Sequence, residues 1–229
     1  MTRIGWIGLG NMGAPMAKNA AAAGFDLAAY DLSPDARNDA HVPTVDSPVE
    51  ALRDADIVVT MLPKGEHVRA ALIDSGALNS AQPDALVIDC STIAVDDVTA
   101  LAEAVTAQGR RYIDAPVSGG TAGAEAGTLT FMVGGEATGF ETAQPLLEAM
   151  GSRSFHVGDL VLERTDVHAI RVSFTRDDAQ AGRHGGCTSH SAELSGSWAG
   201  ELRWRATASS SSDFHRRRPA PYVAQGLVT

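Results

Sequence analysis

Residues 3–13 read Arg-Ile-Gly-Trp-Ile-Gly-Leu-Gly-Asn-Met-Gly, a short apolar run that leads into glycines at positions 8, 10 and 13. An alanine-rich segment follows as far as Gly24, and a second apolar run, 27–30, stops at Asp31. This order of strand, glycine turn, helix, strand and acid is that of a dinucleotide-binding βαβ unit. We therefore predict that a dinucleotide cofactor binds at the glycine turn.

Each part of this unit has a physical role. Gly8 permits the tight turn, Gly10 lets the backbone approach a pyrophosphate, and Gly13 lets the helix pack closely on the sheet. The pyrophosphate then faces free amides at a helix N-terminus, where the helix dipole favours an anion. Asp31, 18 residues after Gly13, is placed to accept hydrogen bonds from the ribose hydroxyls. Because its charge would repel a 2′-phosphate, NAD is favoured over NADP. The cofactor residues predicted at the turn are Gly8, Leu9, Gly10, Asn11, Met12 and Gly13.

Composition limits the possible functions of the chain. Its 229 residues are 44% hydrophobic and 20% charged, which is typical of a soluble globular protein. No stretch approaches the roughly 18 apolar residues of a membrane span, and no signal-peptide pattern precedes the glycines, so we predict a cytoplasmic protein without a membrane partner. A net charge of -10 disfavours nucleic acid as a partner. Cys90 and Cys187 indicate neither a disulfide framework nor a metal cluster.

The charge changes along the chain. Residues 1–158 carry nine basic and twenty acidic side chains, whereas residues 159–229 carry nine arginines, eight acids and no lysine. The second part also contains a serine run at 209–212 and no sustained helical or strand period. We therefore predict a dinucleotide-binding domain over 1–158 and an irregular or disordered tail over 159–229.

Strand and helix patterns alternate through the first domain. Buried strands are predicted at 56–62 and 85–90, a short one at 111–114 and another at 128–133, with an amphipathic helix on Val98, Leu101, Ala102 and Val105. This alternation predicts an α/β fold, a Rossmann-like and mostly parallel sheet with helices on both faces. Ligands of such sheets bind beyond the carboxyl ends of the strands, so four loops are expected to form one site.

Four ordered motifs then resemble the β-hydroxyacid dehydrogenase family. They are the stretch 8–19, Met61-Leu62-Pro63, Asp89-Cys90-Ser91-Thr92-Ile93, and 114–120 with the glycines that follow it. The resemblance covers residues 3–158. It implies that Leu62, Pro63 and Thr92 lie along the nicotinamide end of the cofactor, and that Ser118, Gly119 and Gly120 hold the substrate. A serine hydroxyl beside two glycine amides can bind a carboxylate, although an ordinary tight turn is the alternative. Asp114 is expected to be structural, Cys90 a buried apolar residue, and His67 and His156 surface or packing residues.

The resemblance stops after residue 158. Family members carry a catalytic lysine on the long helix that follows, and a helical domain that closes the cleft and forms the dimer interface. Here residues 160–167 read Leu-Val-Leu-Glu-Arg-Thr-Asp-Val, and the only lysines are Lys18 and Lys64. Neither is a convincing substitute, so no catalytic residue is assigned and the family's homo-oligomer interface is expected to be lost. A frameshift or gene rearrangement would explain the change in composition.

Three functions therefore remain open. The first is NAD-dependent oxidation of a 3-hydroxy acid, with 3-hydroxyisobutyrate as the leading small-molecule substrate, to its semialdehyde. The second is a remnant that binds NAD without catalysis. The third is a semialdehyde or imine reductase of the same superfamily. Loss of a positioned acid or base lowers rates by about 10²–10⁴-fold, which predicts weak or absent turnover by this chain.

Overall fold

The computed structural model describes residues 2–158. The predicted irregular tail, the expected position of the lysine motif and the predicted absence of the family's helical domain all concern residues 159–229, which lie outside the described residues. Within 2–158 the chain forms one eight-stranded sheet. Its strands are β1 (Arg3–Ile7), β2 (Asp26–Tyr30), β3 (Ile57–Thr60), β4 (Leu86–Asp89), β5 (Arg111–Asp114), β6 (Val117–Ser118), β7 (Leu129–Gly134) and β8 (Gly151–Gly158).

The sheet is parallel over most of its width. β1 lies between β2 and β3, and β4 and β5 continue the parallel array beyond β3. β7 runs antiparallel to β5 and β6, and β8 runs parallel to β7. The mostly parallel Rossmann-like sheet is therefore confirmed. Its carboxyl edge is formed by the ends of β1 to β5.

Helices connect the strands. They are α1 (Gly13–Ala22), α2 (Pro34–Asp39), α3 (Pro48–Leu52), α4 (Gly65–Arg69), α5 (Val95–Thr106), α6 (Gly120–Ala126) and α7 (Ala137–Met150). α3 begins as its sequence indicates, because the Ser47 hydroxyl accepts a hydrogen bond from the Glu50 amide at 3.2 Å and Pro48 occupies the first helical position. After α4 the chain makes a π-helical turn at Ala70–Asp74 and a 3₁₀ turn at Ala77–Ser80.

Two apolar layers cover the sheet, one on each face. Ile57 and Val59 belong to the layer that contains α1 and α7, whereas Val58 between them belongs to the layer that contains α3 and α5. Because neighbouring side chains of a strand point to opposite faces, a strand covered on both faces must be apolar throughout. All four residues of β3 and of β4 are buried, which explains the apolar runs 57–59 and 86–88 that precede the buried polar residues Thr60 and Asp89.

The predicted elements agree with the structure where the apolar pattern is strong. β1 and β5 have the predicted bounds, and the four predicted core residues of α5 are all buried. β3 is shorter than predicted, since Met61 and Leu62 already belong to the loop at the sheet edge. α6 and β6 were not predicted, because seven and two residues are too few to show a hydrophobic period.

Candidate cofactor site

The glycine turn lies between the end of β1 and the start of α1. Gly8 has φ = 104°, and a side chain there would overlap the backbone carbonyl of Met61 in the loop after β3. A Cβ atom at Gly13 would overlap the carbonyl of Gly8. The close contact of Gly13 is thus made with the turn itself, rather than with the body of the sheet as the sequence predicted. Both positions therefore require glycine for the tight turn between β1 and α1.

Gly10 has a different environment. A Cβ atom built on Gly10 would meet no other atom within 4 Å, and the residue is exposed. The fold therefore does not need glycine at this position for packing. An open surface beside a helix N-terminus is what the approach of a pyrophosphate requires.

The N-terminus of α1 can receive an anion. The first amides of a helix have no partner within the helix, and α1 has no acidic residue in its first turn. Among the hydrogen bonds of the described residues, none uses the amides of Asn11, Met12 or Gly13 as donors. The first amides of a helix point outward from its N-terminus, and a pyrophosphate would lie there. The residues of the turn therefore fit a dinucleotide.

Asp31 is bonded to the glycine turn. Its Oδ2 accepts a hydrogen bond from the Leu9 amide at 2.7 Å, and its Oδ1 accepts one from the Ser33 amide at 2.8 Å. A carboxylate oxygen can accept more than one hydrogen bond, so both oxygens retain capacity for ribose hydroxyls. The acid therefore also holds the turn against the end of β2, a structural role that the sequence did not indicate.

The loops after β3 and β4 are joined to each other. The amide of Leu62 donates to the Ser91 hydroxyl at 2.9 Å, while Pro63 and Thr92 are exposed. The overlap of a Gly8 side chain with Met61 shows that the glycine turn lies against the first of these loops. The structure thus brings the predicted residues Leu62, Pro63 and Thr92 to the same edge as the turn.

A buried carboxylate lies beneath these loops. Asp89, at the end of β4, accepts hydrogen bonds from the Thr60 hydroxyl at 2.8 Å, the Ser91 amide at 2.9 Å and the Tyr112 hydroxyl at 3.0 Å. Burial raises the pKa of Asp89, and hydrogen bonds from Ser91, Thr60 and Tyr112 act in the opposite direction. Sequence analysis did not single out Asp89, although an acid at the end of an apolar strand is the signal that could have done so.

The predicted substrate residues follow β5. Ser118 ends β6 and is 8% exposed, whereas Gly119 and Gly120 are exposed at the start of α6. Their loop adjoins the cofactor loops through the Ala115 amide, which donates to the Asp89 carbonyl at 2.8 Å. α6 is held to α1 by the Asn19 side-chain amide, which donates to the Ala124 carbonyl at 2.7 Å. The fourth predicted loop therefore lies at the same edge, and its substrate role stays a prediction.

The remaining reactive side chains agree with structural roles. Cys90 is fully buried, and burial raises the pKa of its thiol well above the usual range, which disfavours the nucleophilic thiolate. His156 contacts the Gly135 carbonyl and stacks on Phe140, with ring centroids 5.3 Å apart. His67 is exposed, as expected for a surface residue.

The two lysines of the chain both lie on the surface. The Lys64 ammonium contacts Glu66 Oε1 at 3.1 Å, with both side chains about two-thirds exposed, and Lys18 is an exposed residue of α1. Asp114 is buried at the end of β5.

In residues 2–158, no group of three or more histidine, cysteine or acidic side chains could hold a metal ion. Nor does this part of the chain contain a helix long and apolar enough for a bilayer crossing.

The chain matches a known family over its whole described domain. A model described as the NAD binding domain of 6-phosphogluconate dehydrogenase matches residues 3–158. The chain is 46% identical over 163 residues to 3-hydroxyisobutyrate dehydrogenase of Pseudomonas aeruginosa, covering 69% of this chain and 55% of that protein. It is 47% identical over 162 residues to NAD-dependent L-serine dehydrogenase of the same organism, covering 69% and 54%. The chain therefore spans about half the length of these relatives.

A solved structure agrees with this assignment. The structure of 3-hydroxyisobutyrate dehydrogenase of Mycobacterium tuberculosis with L-serine is similar to this chain, with a TM-score of 0.71 and 40% identity. The similarity covers 78% of this chain and 62% of that one. Glycine turn, sheet topology and sequence thus point to the same group of proteins: the chain belongs to the β-hydroxyacid dehydrogenase family, whose NAD-binding domain its residues 3–158 form.

Proposed function

We propose that the chain derives from an NAD-dependent oxidoreductase that oxidises a 3-hydroxy acid, with 3-hydroxyisobutyrate as leading substrate, to its semialdehyde. The observation that carries the proposal is the shared edge of the sheet, where an open Gly10, free helix amides and the Leu62–Ser91 link lie around one surface. The nicotinamide would accept the hydride from the carbon that bears the hydroxyl. The chain's own residues would bind and orient the two reactants.

The residues around Asp31 support NAD as the cofactor. Arg37 is the basic side chain beside it, but one guanidinium nitrogen donates to the Asp31 carbonyl at 2.6 Å and another lies 3.8 Å from Asp46. The guanidinium also lies over the Tyr30 ring, 5.5 Å from its centroid. The Arg37 guanidinium is thus already engaged with the Asp31 carbonyl and Asp46, while the Asp31 carboxylate would repel a 2′-phosphate. This charge favours the two free hydroxyls of NAD.

Titration of the intact chain with NADH and NADPH tests the cofactor proposal. We expect NADH to bind more tightly, and Asp31→Asn to weaken NADH binding by about tenfold, which is the range of one charge-assisted hydrogen bond. NADPH binding should not weaken, because the substitution removes the repulsive charge. Asp35→Asn, on the exposed start of α2, removes the same charge nearby and serves as the matched control. Equal losses for both cofactors in Asp31→Asn would contradict the proposed role of the carboxylate.

The same samples then test the reaction, with 3-hydroxyisobutyrate and L-serine as substrates. A non-catalytic role in NAD binding is the second candidate. The surface location of Lys18 and Lys64 favours it, because neither side chain offers a buried, positioned amine that could accept the proton of the substrate hydroxyl. Binding of NADH without turnover would support this second candidate. Turnover at rates usual for dehydrogenases would exclude it and support the enzyme.

A further inference from the structure

The carboxylate of Asp89 connects three strands beneath the site. Its Oδ1 accepts hydrogen bonds from the Thr60 hydroxyl of β3 and from the Ser91 amide, and its Oδ2 accepts one from the Tyr112 hydroxyl of β5. Asp89, Thr60 and Ser91 are each fully buried. A buried carboxyl without such donors would be costly, so the network must be complete to be tolerated.

Ser91 extends this network to the loop after β3. Its amide donates to Asp89, and its hydroxyl accepts the hydrogen bond of the Leu62 amide. Thr60, two residues before Leu62, is held to the same carboxylate oxygen as Ser91. The Asp89 carboxylate therefore holds residues on both sides of the Leu62–Ser91 hydrogen bond, which joins the Met61–Pro63 loop to the Ser91–Ile93 loop. These are the two loops proposed to face the nicotinamide.

We infer that Asp89 is a positioning residue, which sets the distance between these two loops and thereby orders the nicotinamide half of the cofactor site. The inference rests on the proposed function. It makes a specific claim about the two halves of the cofactor. The adenosine end is proposed to bind at the glycine turn and Asp31, whose carboxylate is bonded to Leu9 and Ser33 and not to Asp89, so binding of this end should be insensitive to Asp89.

The test compares NADH with ADP-ribose, which lacks the nicotinamide, on the intact chain. In Asp89→Ala the three donors lose their acceptor, so NADH binding should weaken by about tenfold while ADP-ribose binding stays within about twofold. Asp89→Asn should restore both affinities, because the amide oxygen can accept from Thr60 and Ser91 while the amide nitrogen donates to the Tyr112 hydroxyl.

Two further variants keep the test decisive. Ser91→Ala removes the acceptor of the Leu62 amide and the hydrogen bond of the Ser91 hydroxyl to Asp89, but leaves the carboxylate in place. It should therefore show the same selective loss of NADH affinity even if Asp89→Ala fails to fold. Cys90→Ala changes the buried residue between Asp89 and Ser91 without removing a hydrogen bond to the Asp89 carboxylate. It should leave the ratio of the NADH affinity to the ADP-ribose affinity unchanged. Thermal unfolding of each variant reports its stability separately.

The outcomes separate this inference from the proposed function. Selective loss of NADH affinity in Ser91→Ala, together with rescue in Asp89→Asn, supports the positioning role. Equal effects on NADH and ADP-ribose in folded variants, or no effect on either, would overturn it while leaving cofactor binding intact. Failure of the native chain to bind NADH would overturn the proposed function, and the inference with it.

Discussion

Replacing Gly13 by alanine should destabilise the domain by about 2–3 kcal/mol, the cost of overpacking a tight contact, whereas replacing Gly10 should not. The Gly13 side chain would overlap the Gly8 carbonyl, a backbone atom that cannot move without opening the turn. The usual gain of up to about 1 kcal/mol for alanine over glycine in a helix offsets only part of this cost. At Gly10 the added methyl group meets no other protein atom within 4 Å, so it would interfere only with a bound pyrophosphate.

Thermal unfolding and NADH titration of both variants measure this contrast. For a domain of this size, the Gly13→Ala midpoint should fall by about 4–12 °C. Gly10→Ala should unfold at the native temperature and bind NADH at least about tenfold more weakly, since the backbone can no longer approach the pyrophosphate. The two glycines serve as each other's controls. Native NADH affinity in Gly10→Ala would show that the pyrophosphate does not lie on this turn.

Supplying the carboxyl-terminal half of a family member, whose catalytic lysine the sequence predicts this chain to lack, should raise turnover by about 10²–10⁴-fold, the usual contribution of a positioned acid or base. The variant joins residues 1–158 of this chain to the carboxyl-terminal half of the 46% identical Pseudomonas aeruginosa 3-hydroxyisobutyrate dehydrogenase. By the family resemblance, that half carries the lysine on the helix following β8. Oxidation of 3-hydroxyisobutyrate is then compared between the chimera and the native chain.

A second chimera with the lysine replaced by alanine is the control. It should bind NADH as the first chimera does and lose the gain in turnover. NADH affinity and the unfolding midpoint show that each chimera is folded. A folded, NADH-binding chimera with no gain in turnover over the native chain would contradict the prediction that the lack of the catalytic lysine limits turnover. It would indicate that residues 1–158 themselves no longer support the reaction.

The dinucleotide-binding unit could be predicted from the sequence because its signals are local. The glycines of 8–13 and Asp31 lie within one βαβ unit, and each has a spacing that a pyrophosphate or a ribose requires. The strands β1 and β5 and the helix α5 likewise follow from short apolar patterns with a clear period. A local sequence pattern is enough to predict such an element, because the spacing of its own apolar residues shows which of its side chains are buried.

The network of Asp89 could not be predicted in this way. Its bond to Thr60 and the Ser91 bond to Leu62 each join residues 29 positions apart, and the bond to Tyr112 joins residues 23 apart. Such pairs exist only because parallel strands place their carboxyl ends side by side. The second role of Asp31, which holds the Leu9 amide, was missed for the same reason. Sequence spacing predicts which groups face the ligand, and strand pairing determines which hydrogen bonds support those groups.

Mapping NAD onto the backbone amides by NMR tests most directly whether this edge of the sheet is the cofactor site. Isotope-labelled intact chain is titrated with NAD, and each amide is followed. We predict saturable shifts at residues 8–13, 31–33, 61–62 and 91–93. The opposite edge has a separate pocket, lined in part by Phe25, Asp84 and Arg111, and its amides should not respond. Shifts confined to that opposite edge, or no saturable shifts at the glycine turn, would contradict the account.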